Sequence, residues 1–354
     1  ADTSPSMSLT SHRRCRATTE IPSESMLERL DAFFGITSPR DHGHAAVEAL
    51  QAMLEGRSKA LISLGGNLAV AMPDPEASFA AFRNLDLSVS VVTKFNRTCL
   101  LLAKETIVLP CLGRTEQDLQ ESGPQWVTVE DSMSMVHASR GKLKPASPHL
   151  LSEPAVVAGI AQATLEAGKI DWQGMIADYD RIRDAIEAVF PEFRDFNARV
   201  RQRGGFRLPI AASERIWNTA EKKAVFKVHP LRQASHDRSS FLLTTIRSHD
   251  QYNTTIYGLN DRYRGIEGRR DIIFANADDL RVLGLAHGDK VDLISGPNRA
   301  LRGYTVVEHA IARGSLAAYY PEANCLIDLK DFDEKSGTPA YKSVEVIIAR
   351  AKTS

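Results

Sequence analysis

The sequence predicts an α/β protein: a parallel-sheet domain followed by a six-stranded β-barrel of the double-psi kind. Three observations predict it. Short apolar runs at Ala60–Leu64, Val89–Val92 and Thr106–Leu109 are separated by helix-patterned connections, the signature of a parallel sheet. Beyond "RGGFRLP" (Arg203–Pro209) the signals are mostly short β runs. Between two of those runs, "NADDLRVLGLAHGDKVDLIS" inserts one short helix and a tight Gly288-Asp289 turn, as a double-psi barrel requires.

The elements follow in order. Residues Ala1–Thr19 carry no patterned signal, so the segment 1–34 is expected to be partly disordered. Within it, Met26, Leu27, Leu30, Phe33 and Phe34 have helical spacing and Gly35 supplies a stop. Val47, Leu50 and Leu54 mark a second helix, from about His44 to Glu55. The strand Ala60–Leu64 runs into Gly65-Gly66-Asn67. A helix is expected from Glu76 to Arg83, and the next strand gives way to Thr93, Lys94 and Asn96. The third ends at Pro110, which is expected to stop it. The segment "VTVEDSMSMVHASRGKLKPASPHLLSEP" reads as a long polar loop carrying Glu130, Asp131, His137 and Arg140. Ser152 caps a helix that Gly168 ends, an amphipathic helix spans about Asp178–Val189, and a further one is expected within Glu192–Arg203. After the boundary, strands are expected at Ala224–Val228, Phe241–Ile246, Ile272–Phe274, Lys290–Ile294, Tyr304–Val307, Leu316–Ala318 and Val344–Ala349.

Composition narrows the function. Basic and acidic residues balance at 44 each, which argues against a general nucleic-acid binder. No apolar run reaches membrane-spanning length, so no membrane partner is expected. The four cysteines (Cys15, Cys99, Cys111, Cys325) form no CxxC and no Cys/His cluster. No metal ligand and no iron–sulfur cluster is therefore expected within this chain, and a reducing cytoplasm is the expected location.

Ligands of parallel α/β sheets sit beyond the carboxyl ends of the strands. Those ends hold Gly66-Asn67, Thr93-Lys94-Asn96 and Gly113-Arg114-Thr115. The two glycines would let backbone N–H groups approach a phosphate, or they are a plain tight turn; the GxGxxG spacing is absent. Lys94 would neutralise a diphosphate, or is a solvated surface lysine. The densest polar stretch is "LTTIRSHDQYNTTIYG" (Leu243–Gly258). There an apolar strand ends in Arg247, Ser248, His249, Asp250, Gln251 and Asn253, a set suited to a large polar ligand and expected to lie outside the apolar core. A Ser-His-Asp triad is not expected, because adjacent strand residues face opposite ways and no GxSxG elbow exists. Asn324 follows Pro321 in a turn after a strand.

Four passages together resemble one family: "LPCLGRTEQD", "VTVEDSMSMVHASRGKLKPASPHLLSEPA", "TIRSHDQYNTTIYGLNDRYRGI" and "ANADDLRVLGLAHGDKVDL". From about Gly35 to Ala351 the chain resembles the C-terminal half of molybdopterin-dependent oxidoreductases of the dimethyl sulfoxide reductase superfamily. The likeness is greatest to the formate-dehydrogenase-like branch associated with acid resistance. The resemblance implies residues 35–205 as a partial Rossmann-like molybdopterin oxidoreductase domain and 206–354 as the molydopterin dinucleotide-binding double-psi barrel. It implies bis-molybdopterin guanine dinucleotide, with its molybdenum, as cofactor. Arg247, Ser248, His249, Asp250, Gln251 and Asn253 would be the barrel loop that wraps it, and Asn324 and Lys342 the two late pterin contacts. Gly66, Asn67, Thr93, Lys94 and Asn96 match the strand-end positions of the Rossmann-like half.

The family's full chain is about twice as long, and the resemblance implies that its N-terminal half supplies any protein ligand to molybdenum. The chain therefore reads as a fragment or short form, with the missing N-terminal half or a redox partner as its protein partner. Its catalytic residues are unassigned. The expected function is the cofactor-binding part of an oxidoreductase acting by two-electron chemistry at molybdenum, with formate as the substrate the resemblance implies. The alternative is a non-enzymatic dinucleotide-binding or assembly module.

Overall fold

The computed structural model describes residues 23–41, 43–166, 168–228, 240–333 and 336–351. The helices are α1 (Glu24–Phe34), α2 (Ala46–Leu54), α3 (Leu68–Ala71), α4 (Pro75–Arg83), α5 (Glu153–Thr164), α6 (Trp172–Ala177), α7 (Tyr179–Val189), α8 (Phe196–Val200) and α9 (Ala277–Leu283). The strands are β1 (Ala60–Leu64), β2 (Leu87–Val92), β3 (Glu105–Pro110), β4 (Leu119–Gln120), β5 (Gly123–Pro124), β6 (Val127–Glu130), β7 (Met135–Ser139), β8 (Phe206–Arg207), β9 (Ser240–Ile246), β10 (Ile272–Ala275), β11 (Lys290–Ser295), β12 (Arg299–Glu308), β13 (Ser315–Tyr319) and β14 (Val344–Arg350). Two compact units result, one of residues 1–43 and 110–230, the other of residues 44–109 and 231–354. They interleave along the chain, a different division from a single boundary at residue 205.

The second unit holds a three-stranded sheet in the order β1-β2-β3, with β1 parallel to β2, and a closed barrel in the order β10-β12-β11-β14-β9-β13. The α/β class with a six-stranded barrel is the one the sequence predicts. Strands β9 and β14 alternate while β10 is buried throughout, and the inward residues include Phe241, Leu243, Ile273, Val291, Leu293, Val306, Leu316 and Val346. Burying each such side chain is worth roughly 1.5–3 kcal/mol, which is what closes the barrel. The helix expected after β10 is α9, capped by the Asn276 side chain and ended by Gly284 at φ 66°. Under the parallel sheet, Val47, Leu50 and Met53 of α2 pack with Phe82 and Leu85 and with Leu329 from the far end of the chain. That shared core explains why residues 44–109 group with the barrel.

In the first unit, α1 begins at the Ser23 cap and ends at Gly35 (φ 64°). The segment expected as one long polar loop contains a hairpin instead, β6 paired antiparallel with β7. Its turn is held by the Asp131 carboxylate, which accepts the N–H groups of Met133 and Met135. Side-chain acceptors of this kind substitute for backbone partners in short turns, so polar composition concealed a hairpin. Phe206–Arg207 pairs with β7, and Gly205 (φ 70°) is required there because a Cβ would lie 1.9 Å from the Val136 carbonyl oxygen.

Other expectations need correction. The strand expected at Ala224–Val228 does not form: the segment is unpaired, and Phe226 is 97% exposed. Alternation alone cannot make a strand without a neighbouring edge to bond. The helix expected within Glu192–Arg203 is split into a 3-10 turn and the five-residue α8. Pro110 is the last residue of β3 rather than its stop. The patternless N-terminal stretch lies outside the described residues up to residue 22; α1 follows.

Leu293→Ala should destabilise the protein by about 3–5 kcal/mol, because Leu293 is fully buried inside the barrel. Ile347→Ala, at an outward and half-exposed position of β14, should cost under about 1 kcal/mol. Urea titrations of both variants check this; equal losses would mean that the barrel interior is wrongly assigned.

Candidate cofactor-binding site

Beyond β9 the chain leaves the barrel as the loop 247–271, which returns through Arg269-Arg270 into β10. Ile266 of this loop packs with Ile272, Phe274 and Tyr319 on the barrel's outer surface. At its centre is Arg270, whose side chain is 4% exposed. Its Nε donates to Glu322 Oε1 at 2.7 Å, and Nη1 to Ser248 Oγ at 3.1 Å. Nη2 donates to Gln251 Oε1 at 3.0 Å, the Tyr320 carbonyl at 2.8 Å and Glu322 Oε2 at 3.1 Å. The rings of Tyr257 and Tyr319 lie 4.4 and 4.5 Å from the guanidinium carbon. A buried cation without partners would be prohibitively costly; here the acceptors and the ring faces replace the lost water.

The loop is fastened elsewhere too. Gln251 Nε2 donates to the carbonyls of Asn253 and Tyr320, and the Ser248 N–H donates to Gln251 Oε1. Asn67 Nδ2 donates to the Thr254 carbonyl at 3.3 Å, while Asn67 Oδ1 accepts from Thr98. Arg97 Nη2 reaches the Tyr257 hydroxyl at 3.4 Å. The Tyr320 hydroxyl donates toward Asn253 Oδ1 at 3.3 Å and the Ala71 carbonyl at 3.2 Å. The end of β1 and the loop after β9 are therefore directly bonded inside one compact unit.

Asn324 is fully buried in the turn Glu322–Leu326. Its Nδ2 donates to the carbonyls of Val70, Ala71 and Met72, closing the end of α3. Its Oδ1 has no donor among the described residues. Asp261, 2% exposed, accepts from Tyr319 at 2.9 Å and Arg264 at 2.5 Å. Burial raises the Asp261 carboxyl, but the donors from Arg264 and Tyr319 outweigh it and hold the group below the usual carboxylate range.

The residues singled out from sequence thus divide by what their side chains are free to do. Asn67, Ser248 and Gln251 are committed to the protein's own hydrogen bonds. Asn96 bonds the Gly66 carbonyl and caps the turn after β2. His249 stacks on Tyr263 with ring centroids 3.7 Å apart, and Asp250 lies 3.6 Å from Arg262 in an exposed ion pair worth little. Lys342 donates to the Thr245 carbonyl, and burial followed by the neighbouring Arg247 charge lowers its pKa. Thr93, Lys94, Arg247 and Asn253 are exposed, and neither cation is ion-paired among the described residues. Gly66 (φ 73°) stands in open space. Arg270, Tyr257, Asp261 and Arg97 escaped the sequence reading; the Arg269-Arg270 pair directly before an apolar strand was the available signal.

Together the elements define a double-psi barrel module with an internally braced polar loop joined to the ends of a parallel sheet. Residues 241–345 match the family of the Molydopterin dinucleotide binding domain. The chain is 49% identical over 337 residues to Protein YdeP of Escherichia coli (strain K12), covering 93% of this chain and 44% of that protein. It is 44% identical over 333 residues to the Uncharacterized oxidoreductase Mb2924c of Mycobacterium bovis, covering 91% of this chain and 43% of the relative. Acetylene Hydratase from Pelobacter acetylenicus shares the fold, with a TM-score of 0.57 at 14% identity over 92% of this chain and 50% of that one. The barrel region is thus similar to a molydopterin dinucleotide-binding domain, and the chain spans less than half the length of the curated relatives it matches. No group of three or more His, Cys, Asp or Glu that could hold a metal occurs among the described residues, and none of their helices is long and apolar enough to cross a membrane.

The Asp261 carboxylate stabilises the fold fully above about pH 4, the unfolded carboxylate value, and that contribution is lost as pH falls through its lower folded pKa. Asp261→Asn should therefore unfold more readily at neutral pH, with the gap to the unmodified protein narrowing below about pH 4. Denaturant midpoints across pH 2–8 read this; a gap independent of pH would rule out an ionised Asp261 as the source.

Proposed function

We propose that the barrel loop and the adjoining strand ends hold one molybdopterin guanine dinucleotide of a bis-dinucleotide molybdenum cofactor. The chain then serves as the cofactor-binding part of an oxidoreductase. The observation that carries this reading is the fastening of the loop after β9, which lies within the dinucleotide-binding match, to the turns after β1 and β2, which lie outside it. The residues fit such a group. Arg247 and Lys94 are exposed cations with no carboxylate ion-paired to them among the described residues, suited to a diphosphate. Asn324 Oδ1 is a buried acceptor without a donor among the described residues, the kind of atom that an amino-bearing pterin edge would satisfy. Gly66 leaves room for a phosphate to approach the backbone.

Bound in this way, the cofactor supplies two-electron redox chemistry at molybdenum. The chain's own part is to bind, orient and charge-balance. Arg247 and Lys94 offset phosphate charge, and the braced loop fixes where Arg247 and Asn253 present their polar atoms. The thiols of buried Cys111 and half-buried Cys325, each pushed up to about 11 chiefly by burial, stay protonated at neutral pH. Formate is the substrate proposed on the resemblance of "VTVEDSMSMVHASRGKLKPASPHLLSEPA" and its companion passages to formate-dehydrogenase-like chains. The protein partner proposed is the remaining part of a polypeptide of the relatives' length.

The test is cofactor content in a polypeptide extended to the relatives' length: molybdenum by elemental analysis, and GMP released by acid hydrolysis. Two GMP per molybdenum are expected. Arg247→Ala combined with Lys94→Ala should lower both contents at least tenfold. That is the effect of losing about 1.5–3 kcal/mol for each charge-assisted contact. Protein without releasable GMP would overturn the reading.

A further inference from the structure

We infer that Arg270 is a positioning residue: it binds the loop 248–257 and the turn 320–326 into one cooperative cradle, so that neither takes its shape without the other. Its relevance to cofactor binding rests on the function proposed above; the coupling itself does not.

Arg270 Nη1 engages Ser248, and Nη2 engages Gln251, both from the loop. Nε and Nη2 engage Glu322, and Nη2 also engages the Tyr320 carbonyl, both from the turn that carries Asn324. Gln251 is itself shared, accepting from Arg270 and donating to the same Tyr320 carbonyl. The two segments thus have no independent sets of acceptors; they satisfy one cation jointly. The stacking is divided likewise, with Tyr257 from the loop and Tyr319 from the strand that leads into the turn. Arg97 extends the brace to the turn after β2 through the Tyr257 hydroxyl. A buried cation is costly when half of its partners leave, so displacing one segment would strand Arg270 against the other. A lysine would keep the charge but cannot direct three nitrogens at four residues on two segments.

Hydrogen exchange on the chain itself reads the coupling directly. In Arg270→Lys, exchange in 248–257 and in 320–326 should rise together by at least tenfold, while β11 and the Phe241–Leu243 part of β9 remain protected. Glu322→Gln, which perturbs only the turn side of the brace, should also loosen the loop. The coupling is wrong if Arg270→Lys exchanges like the unmodified chain, if only one segment opens, or if the whole barrel loses protection in both variants. GMP content measured on the extended polypeptide separates the two claims. Absence of GMP from unmodified protein defeats the cofactor reading and leaves the exchange result to decide the coupling. Normal GMP content in a variant whose two segments have both opened defeats the link between cradle and cofactor.

Discussion

A guanidinium removed from water must have its donors met by acceptors fixed in space, and Arg270 meets that condition with residues from two distant parts of the chain. Much of the local architecture follows from it. The loop after β9 is long, polar and free of regular structure, yet it does not need to be solvated residue by residue. Gln251 and Ser248 turn inward to the cation, Tyr257 covers one face of it, and the backbone between them is drawn to the barrel wall. Removing one partner of a buried, hydrogen-bonded pair such as Arg270–Glu322 costs about 3–5 kcal/mol, a large fraction of a typical folding free energy. Such a pair adds little net stability over a well-packed apolar alternative. Its contribution here is geometric.

That brace sorts the polar residues of the site. Side chains turned inward (Asn67, Ser248, Gln251, Asn324) spend their hydrogen bonds on carbonyls and amides of the protein. Side chains turned outward (Lys94, Arg247, Asn253) remain exposed. A dinucleotide needs this combination: a rigid rim, unspent positive charge, and a glycine-lined strand end. The balanced net charge of the chain is consistent with such a local arrangement, since a phosphate responds to nearby unpaired cations rather than to the overall charge.

The fold class was legible because it depends on period and length. The alternation in Phe241–Ile246 and Val344–Ala349, and the short Gly-terminated helix before Lys290, are local signals that the barrel preserves. The hairpin at residues 127–139 was hidden because its turn is built by one Asp131 carboxylate among many polar residues. The strand at Ala224–Val228 was expected from its own side chains, whereas pairing depends on a neighbour that no local pattern reveals. The site was legible as a place rather than as roles. Density of polar residues singled out the loop 247–253. Yet which of them face inward depends on Arg270, some twenty residues downstream, and on Glu322 and Tyr320, seventy residues away. Long-range partners of this kind leave no trace in spacing.

The most direct measurement is a structure of the cofactor-loaded protein, extended to the length of its relatives. The account predicts dinucleotide phosphate oxygens about 3 Å from the Arg247 guanidinium, with the loop 247–257 unmoved and Arg270 still bridging Gln251 and Glu322. A dinucleotide bound away from that loop, or a loop that must break the Arg270 contacts to admit it, would contradict the account.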